Sequence, residues 1–245
     1  MTHRFVVLTI FPEIFDSFLR ASLVGKAVDA GRIAVDRVDI RDFASGPHRS
    51  VDDAPYGGGA GMVMMPGPVV DAIESSPPGH RVLLTPQGQR YTQDLARDLA
   101  RHPTLVLVCG RYEGFDERIR EWADREVTIG DFVLHGGEVA AMCVIESIAR
   151  LGDGTLGNPE SVVEESHTDG LLEYPQYTRP RDFRGREVPG VLTSGHHEAI
   201  RRWRREQQIR RTARRRPDLI EGRDLDPEEM RIVEDETGGP REDGS

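Results

Sequence analysis

The residues with the most chemical potential in this 245-residue chain are glycines, gathered in three loops. Each loop ends a short apolar run: Arg81-Val-Leu-Leu-Thr-Pro-Gln-Gly88, Leu105-Val-Leu-Val-Cys-Gly-Arg-Tyr-Glu-Gly114 and Val127-Thr-Ile-Gly-Asp-Phe-Val-Leu-His-Gly-Gly137. A residue without a Cβ lets backbone amides approach a ligand closely. Strands that end together at the carboxyl edge of an open α/β sheet form a crevice suited to a nucleotide-like molecule. Two familiar nucleotide sites are excluded. No G-x-G-x-x-G follows the first apolar run, which ends in Phe11-Pro12, and no G-x-x-x-x-G-K-[ST] occurs, the single lysine being Lys26. A second chemistry is carried by charge. Between His196 and Arg216 nine arginines stand against Glu198 and Glu206, a local balance of +7. Such a block either holds phosphates by attraction and counterion release or is a solvated helix face.

The elements that must position these residues alternate strand and helix. Arg4 to Ile10 reads as a buried strand, Pro12 opens a helical segment toward Gly31, and Ile33 to Ile40 reads as a second strand. Arg41 to Gly61 is a long loop rich in Asp, Gly and Pro, followed by a short helix from Pro66 to Glu74. Strands at Val82–Leu84 and Leu105–Val108 flank an amphipathic helix from Tyr91 to Arg101, and Gly136 to Leu151 reads as an apolar helix. This order predicts an α/β fold with a mostly parallel sheet. After Leu151 the composition turns to Gly, Asp, Glu and Ser, which marks an interdomain linker, and beyond it strand patterns are few. A small helical C-terminal domain follows: a basic helix from about His196 to Arg216, stopped by Pro217, and an acidic helix near Pro227 to Glu236.

Net charge, −10 for the whole chain, argues naively against nucleic acid, but the sum hides a cancellation. Glu221 to Ser245 holds ten acidic residues and three arginines, a balance of −7 that offsets the basic block and offers it an internal competitor. Nucleic acid therefore stays a live partner. The early apolar run is cut by Pro12 and has no small-residue cleavage site after it, so neither a signal peptide nor a spanning helix is expected and the chain is placed in the cytoplasm. Cys109 and Cys143 lie in apolar stretches without metal-ligand spacing and read as small buried thiols, so no metal site is expected from them.

Together these loops and several further motifs match one family. Thr85-Pro-Gln-Gly88, Gly110-Arg-Tyr-Glu-Gly-Phe-Asp-Glu-Arg118, Ile129-Gly-Asp-Phe-Val-Leu-His-Gly-Gly-Glu138 and Tyr177-Thr-Arg-Pro180 closely resemble the bacterial tRNA guanine-N1 methyltransferases of the knotted SPOUT superfamily. The likeness extends to Asp53-Ala-Pro-Tyr-Gly-Gly-Gly-Ala-Gly-Met62, Gly170-Leu-Leu-Glu173, Val191-Leu-Thr-Ser-Gly-His-His197 and Ile200-Arg-Arg-Trp-Arg204, nearly the whole chain.

The resemblance implies methyl transfer from S-adenosylmethionine to N1 of guanosine 37 of tRNA, giving N1-methylguanosine. It also implies a deep trefoil knot, which pattern reading alone would exclude because knots are nearly absent from proteins. The implied domains are a knotted catalytic domain (1–156), a mobile linker (157–169) and a tRNA-binding domain with an acidic tail (170–245). Carried over position by position, Gly110 and the run Ile129, Gly130, Asp131, Phe132, Val133 and Leu134 would contact the cofactor, with Pro86, Gly88, Gly136 and Gly137 shaping its pocket. Glu165 would take the N1 proton as general base, and Arg150 would stabilise charge on guanine O6. The family carries aspartate at the base position. Glu165 keeps the carboxylate on a longer arm, and Glu164 and Asp169 are alternative bases. Arg201, Arg202, Arg204 and Arg205 would meet tRNA phosphates, while Trp203 either stacks on a base or packs in a core, packing being favoured. The implied assembly is a homodimer whose active sites are shared between subunits. Magnesium is left open, with no dedicated carboxylate cage in view. The competing reading is an S-adenosylmethionine-sensing nucleic-acid regulator without transferase activity.

Overall fold

The computed structural model describes residues 2–152, 166 and 170–238. The chain divides into two compact units, residues 1–158 and 159–245.

Apolar residues on both faces of a strand require cover on both sides, which an α/β layer provides. In the first unit the elements run β1 (His3–Thr9), α1 (Ser22–Asp29), β2 (Ile33–Asp39), β3 (Asp52–Asp53), β4 (Val63–Met64), α2 (Pro66–Ser75), β5 (His80–Arg90), α3 (Gln93–Leu99), β6 (Thr104–Cys109), β7 (Arg125–Thr128) and α4 (Glu138–Ala149). Five strands form one parallel sheet in the order β2-β1-β6-β5-β7. Register sorts the side chains: Phe5, Val7, Val82, Leu84, Leu105, Leu107 and Val127 face a core completed by α1, α3 and α4. Val6, Leu8, Leu83, Val106 and Val108 face the other side, with Val69, Ala72 and Ile73 of α2. The mostly parallel α/β sheet is as expected from the strand–helix alternation.

Several boundaries differ from the sequence reading. The segment after Pro12 is not one helix but two short 3-10 turns, Pro12–Phe15 and Phe18–Arg20, ahead of α1. β3, inside the long loop, pairs antiparallel with β4 just after it, and the two enclose the glycine run. α3 starts later than Tyr91 because Thr92 caps it, its hydroxyl accepting from the Leu95 amide at 3.2 Å. Strand β5 outlasts Leu84: it pairs with β7 through Leu84, bulges over residues 85–88, and resumes at Gln89 and Arg90. Cys109 is buried as expected, whereas Cys143 is exposed, because apolar α4 still presents an outward face that also carries Val139.

The second unit contains a two-stranded hairpin, β8 (Asp182–Phe183) with β9 (Arg186–Glu187), which the sparse strand pattern did not reveal. Helices α5 (His197–Arg215) and α6 (Pro227–Thr237) follow and pack on each other. α6 begins with a full capping box, Asp226 accepting from the Glu229 amide at 2.8 Å while Glu229 accepts from the Asp226 amide. No helix among the described residues is long and apolar enough to cross a membrane.

Candidate active site

Because β5, β6 and β7 end side by side, the three glycine loops open on one place. They enclose a cavity of about 250 Å3 lined by Leu84, Pro86, Gln87, Gly110, Arg111, Val127, Ile129 and Phe132 through Gly137, among others. The second and third loops are tied directly: the Gly137 amide donates to Gly110 O at 2.9 Å, and Arg111 pairs as a β-bridge with Gly136. Close approach explains the glycines here. A Cβ on Gly137 would stand 2.8 Å from Cys109 Cα and 3.0 Å from the Gly110 nitrogen, so any side chain would pry the two loops apart.

Of the residues expected at the cofactor, Pro86, Gly110, Ile129, Phe132, Val133, Leu134, Gly136 and Gly137 line this cavity; Gly88, Gly130 and Asp131 do not. Gly88 lies behind it, where a Cβ would come within 2.6 Å of Val127 Cα; its bareness lets β5 bulge against β7. Gly130 is buried and held by the Thr128 hydroxyl, which donates to its carbonyl at 2.8 Å. Asp131 is exposed. Phe132 and Val133 are exposed as well, at 54% and 82%, so the pocket rim is apolar.

Sequence reasoning missed the polar anchor of this pocket. Glu138, first residue of α4 and only 1% exposed, accepts from the Thr9 hydroxyl at 2.7 Å and from Arg111 Nε at 3.0 Å. A second Arg111 nitrogen lies 2.9 Å from the same carboxylate, and its guanidinium sits 4.6 Å above the Phe11 ring. The α4 N-terminus favours the negative charge. The network thereby pins the end of β1, the loop after β6 and the start of α4 to one another. A carboxylate directly after Gly136-Gly137 at the head of an apolar helix was the available sign. Burial, reinforced by Glu138, pushes the Cys109 thiol well up, so it stays protonated and is not a nucleophile. On the opposite wall Gln87 accepts from Arg120, which also pairs with Glu117 at 2.8 Å and with Glu126.

A sequence model of the tRNA (Guanine-1)-methyltransferase TrmD family matches residues 3–222. The chain belongs to this family. It is 55% identical over 236 residues to the tRNA (guanine-N(1)-)-methyltransferase of Symbiobacterium thermophilum, covering 93% of this chain and 96% of that one. It is 52% identical over 239 residues to the enzyme of the same name from Moorella thermoacetica, covering 95% and 96%, and 51% identical over 223 residues to that of Geobacillus kaustophilus, covering 89% and 91%.

The other residues expected from likeness to the TrmD family stand at the far end of α4, outside the described residues, or in the second unit. Arg150 closes the C-terminal end of α4, twelve residues from Glu138, which at 1.5 Å per residue is about 18 Å along the helix. Glu165, like Glu164 and Asp169, lies outside the described residues. In the second unit Arg201 and Arg202 are exposed, Arg204 stacks 4.7 Å over Tyr174, and Arg205 is turned to Glu229 of α6 at 2.7 Å. Glu236 of α6 takes Arg210 at 3.0 Å and Arg214 at 2.9 Å. Three of the block's nine arginines are therefore already answered by α6. Trp203 is half-buried, with its ring 6.4 Å from that of Tyr177.

Proposed function

We propose that this protein transfers the methyl group of S-adenosylmethionine to N1 of guanosine 37 in tRNA, in the cytoplasm, as a homodimer. The observation that carries the reading is the convergence of three glycine loops on one cavity in a chain of the TrmD family. The cavity suits an adenosine-bearing ligand: backbone groups of Gly110, Ile129 and Leu134 are within reach, apolar Leu84, Val127 and Ala140 form the walls, and the bare Gly136 and Gly137 leave room. S-adenosylmethionine supplies an electrophilic methyl on a sulfonium when bound there.

The acceptor chemistry needs other residues. Guanine N1 carries a proton, so as the N1–CH3 bond forms and the S–CH3 bond breaks, that proton must pass to a base while charge builds on O6. Glu165 is the base in this reading, and Arg150 donates to O6 to stabilise the charge. The position of Arg150 at the far end of α4 from the cavity supports a shared site, in which one subunit holds the methyl donor and the other presents Arg150 and the segment with Glu165. The crossing from β6 to β7 must pass the end of β5, which lies between them, before returning over Gly110 into α4. That path supports reading the loops as a deep trefoil knot, with residues 1–156 as catalytic domain, 157–169 as linker and 170–245 as tRNA-binding domain. The steps above are written without magnesium, whose part in the reaction this reading leaves open.

Labelled methyl transfer to tRNA transcripts with G or A at position 37 tests the activity: transfer to G alone is expected, and none to either would overturn the reading in favour of a sensor that binds without transferring. Glu165→Gln is expected to abolish turnover at unchanged cofactor affinity. Near-normal turnover would move the base to Glu164 or Asp169.

A further inference from the structure

The β8–β9 hairpin of the second unit is exposed from Thr178 through Glu187, and its register sorts charge by face. Phe183 stands opposite Arg186, and Arg181 opposite Val188, whose amide donates to Arg181 O at 2.9 Å. These residues share one face because side chains alternate along a strand. Asp182 and Glu187, also opposite one another, share the reverse face. The turn residues are Arg184 and Gly185, with φ of +56° and +77°. Such a two-residue turn favours Asn-Gly or Gly-Gly, and arginine at positive φ is strained there. Its guanidinium lies 5.3 Å over the Phe183 ring. Among the described residues no carboxylate forms an ion pair with Arg181, Arg184 or Arg186.

An exposed aromatic ring at 59%, framed by three arginines on one side while both acids point to the other, is poorly explained by solvation or by packing. A hairpin selected for solubility would spread its charges over both faces; Asp182 has a turn role, its Oδ1 accepting from the Gly185 amide at 3.2 Å, but that role accounts for neither the exposed ring nor the arginines around it. An unpaired base between phosphates is what this surface fits: the ring offers a stacking platform and the arginines hold the backbone on either side. We infer that the Arg181–Phe183–Arg186 face, with Arg184 at its tip, is an RNA-binding surface of this protein that grips a single-stranded stretch of its tRNA substrate by base stacking and phosphate contact. It is separate from the arginines of α5 and rests on the tRNA-acting reading above. Charge complementarity favours RNA over an apolar protein partner.

The full-length protein is titrated with unmodified tRNA at several salt concentrations, wild type first. Arg181→Ala with Arg186→Ala is expected to weaken binding roughly tenfold and to lower the slope of log affinity against log salt by roughly 0.7 per arginine removed. Phe183→Ala is expected to weaken binding at least roughly fivefold with the slope unchanged, and Phe183→Tyr to restore it. Arg184→Asn suits the turn better, so it is expected to leave the melting temperature equal or higher while still weakening RNA; a structural role would move both down together. If wild type binds tRNA and the hairpin variants keep its affinity and slope, or change only self-association, the hairpin inference falls and the activity reading stands. If wild type binds no tRNA, both fall.

Discussion

Removing the Glu138 carboxylate tests whether the anchor beneath the pocket is the clamp described above. Glu138→Ala leaves Arg111 beside an empty site and deprives the Thr9 hydroxyl of its acceptor. Breaking a buried ion pair at one partner costs about 3 to 5 kcal/mol. Arg111 keeps 20% of its side chain in solvent and its contact with Phe11, so the low end, about 3 kcal/mol, applies. For a protein of this size that is a fall in melting temperature of roughly 6 to 12 °C. The two tryptophans, Trp122 and Trp203, lie one in each unit, so a Trp203→Phe background lets Trp122 report the first unit alone during urea unfolding. Arg111→Met with Glu138→Met removes both charges and fills similar volume, so the double variant should cost less than the two single variants together, with a coupling of about 2 kcal/mol or more. A loss below about 1 kcal/mol for Glu138→Ala, or simple additivity in the cycle, would refute the clamp. Calorimetric titration with S-adenosylhomocysteine supplies the functional half: affinity should fall in Glu138→Ala even under conditions where the protein remains folded.

Two other expectations follow from the same geometry. Gly88→Ala places a Cβ 2.5 Å from the Glu126 carbonyl carbon, so the β5 bulge must shift; cofactor affinity should drop at least about tenfold by titration, and wild-type affinity would show that the bulge has slack. Burial pushes the Tyr91 hydroxyl up to about 12 from 10.0, against the opposing hydrogen bond with Ser147 at 2.6 Å. Raised in the folded state, this group stabilises the fold fully below pH 10 and loses that contribution as pH climbs toward 12, because the unfolded chain releases its proton first. Unfolding midpoints measured from pH 9 to 12 should fall less steeply in Tyr91→Phe than in wild type, and identical slopes would count against the assignment.

Much of this architecture was legible because apolar runs flanked by glycine leave little choice. Strands such as Leu105–Val108, apolar on both faces, demand layers on both sides, and that alone implies a parallel sheet with its loops at one edge. What escaped the sequence has a common physical cause. Gln89 and Arg90 are exposed, so nothing in their polarity marks them as a strand, and only their pairing with Val127 and Thr128 does. Glu138 looks like an ordinary acidic residue at a helix start. Its burial is created by Thr9 and Arg111, which lie 129 and 27 residues away, and no local pattern carries that information.

Charge read by sequence window fails for the same reason, and with more consequence. The block from His196 to Arg216 sums to +7, yet Arg205, Arg210 and Arg214 are held by Glu229 and Glu236, so the supposed competitor for RNA is built into the fold. The arginine sides of those pairs are a third to nearly three-quarters exposed although Glu229 and Glu236 are largely covered, so solvent screens the pairs and a polyanion competes for the arginines. Cations that need no displacement are worth more to a phosphate, since no existing contact is given up. By that reasoning Arg201→Ala and Arg202→Ala, at exposed positions in the N-terminal half of α5, are expected to weaken tRNA binding in a titration more than Arg205→Ala does, with the arginines of the β8–β9 face, which have no carboxylate partner among the described residues, behaving like the first two; equal losses at all of these positions would refute it.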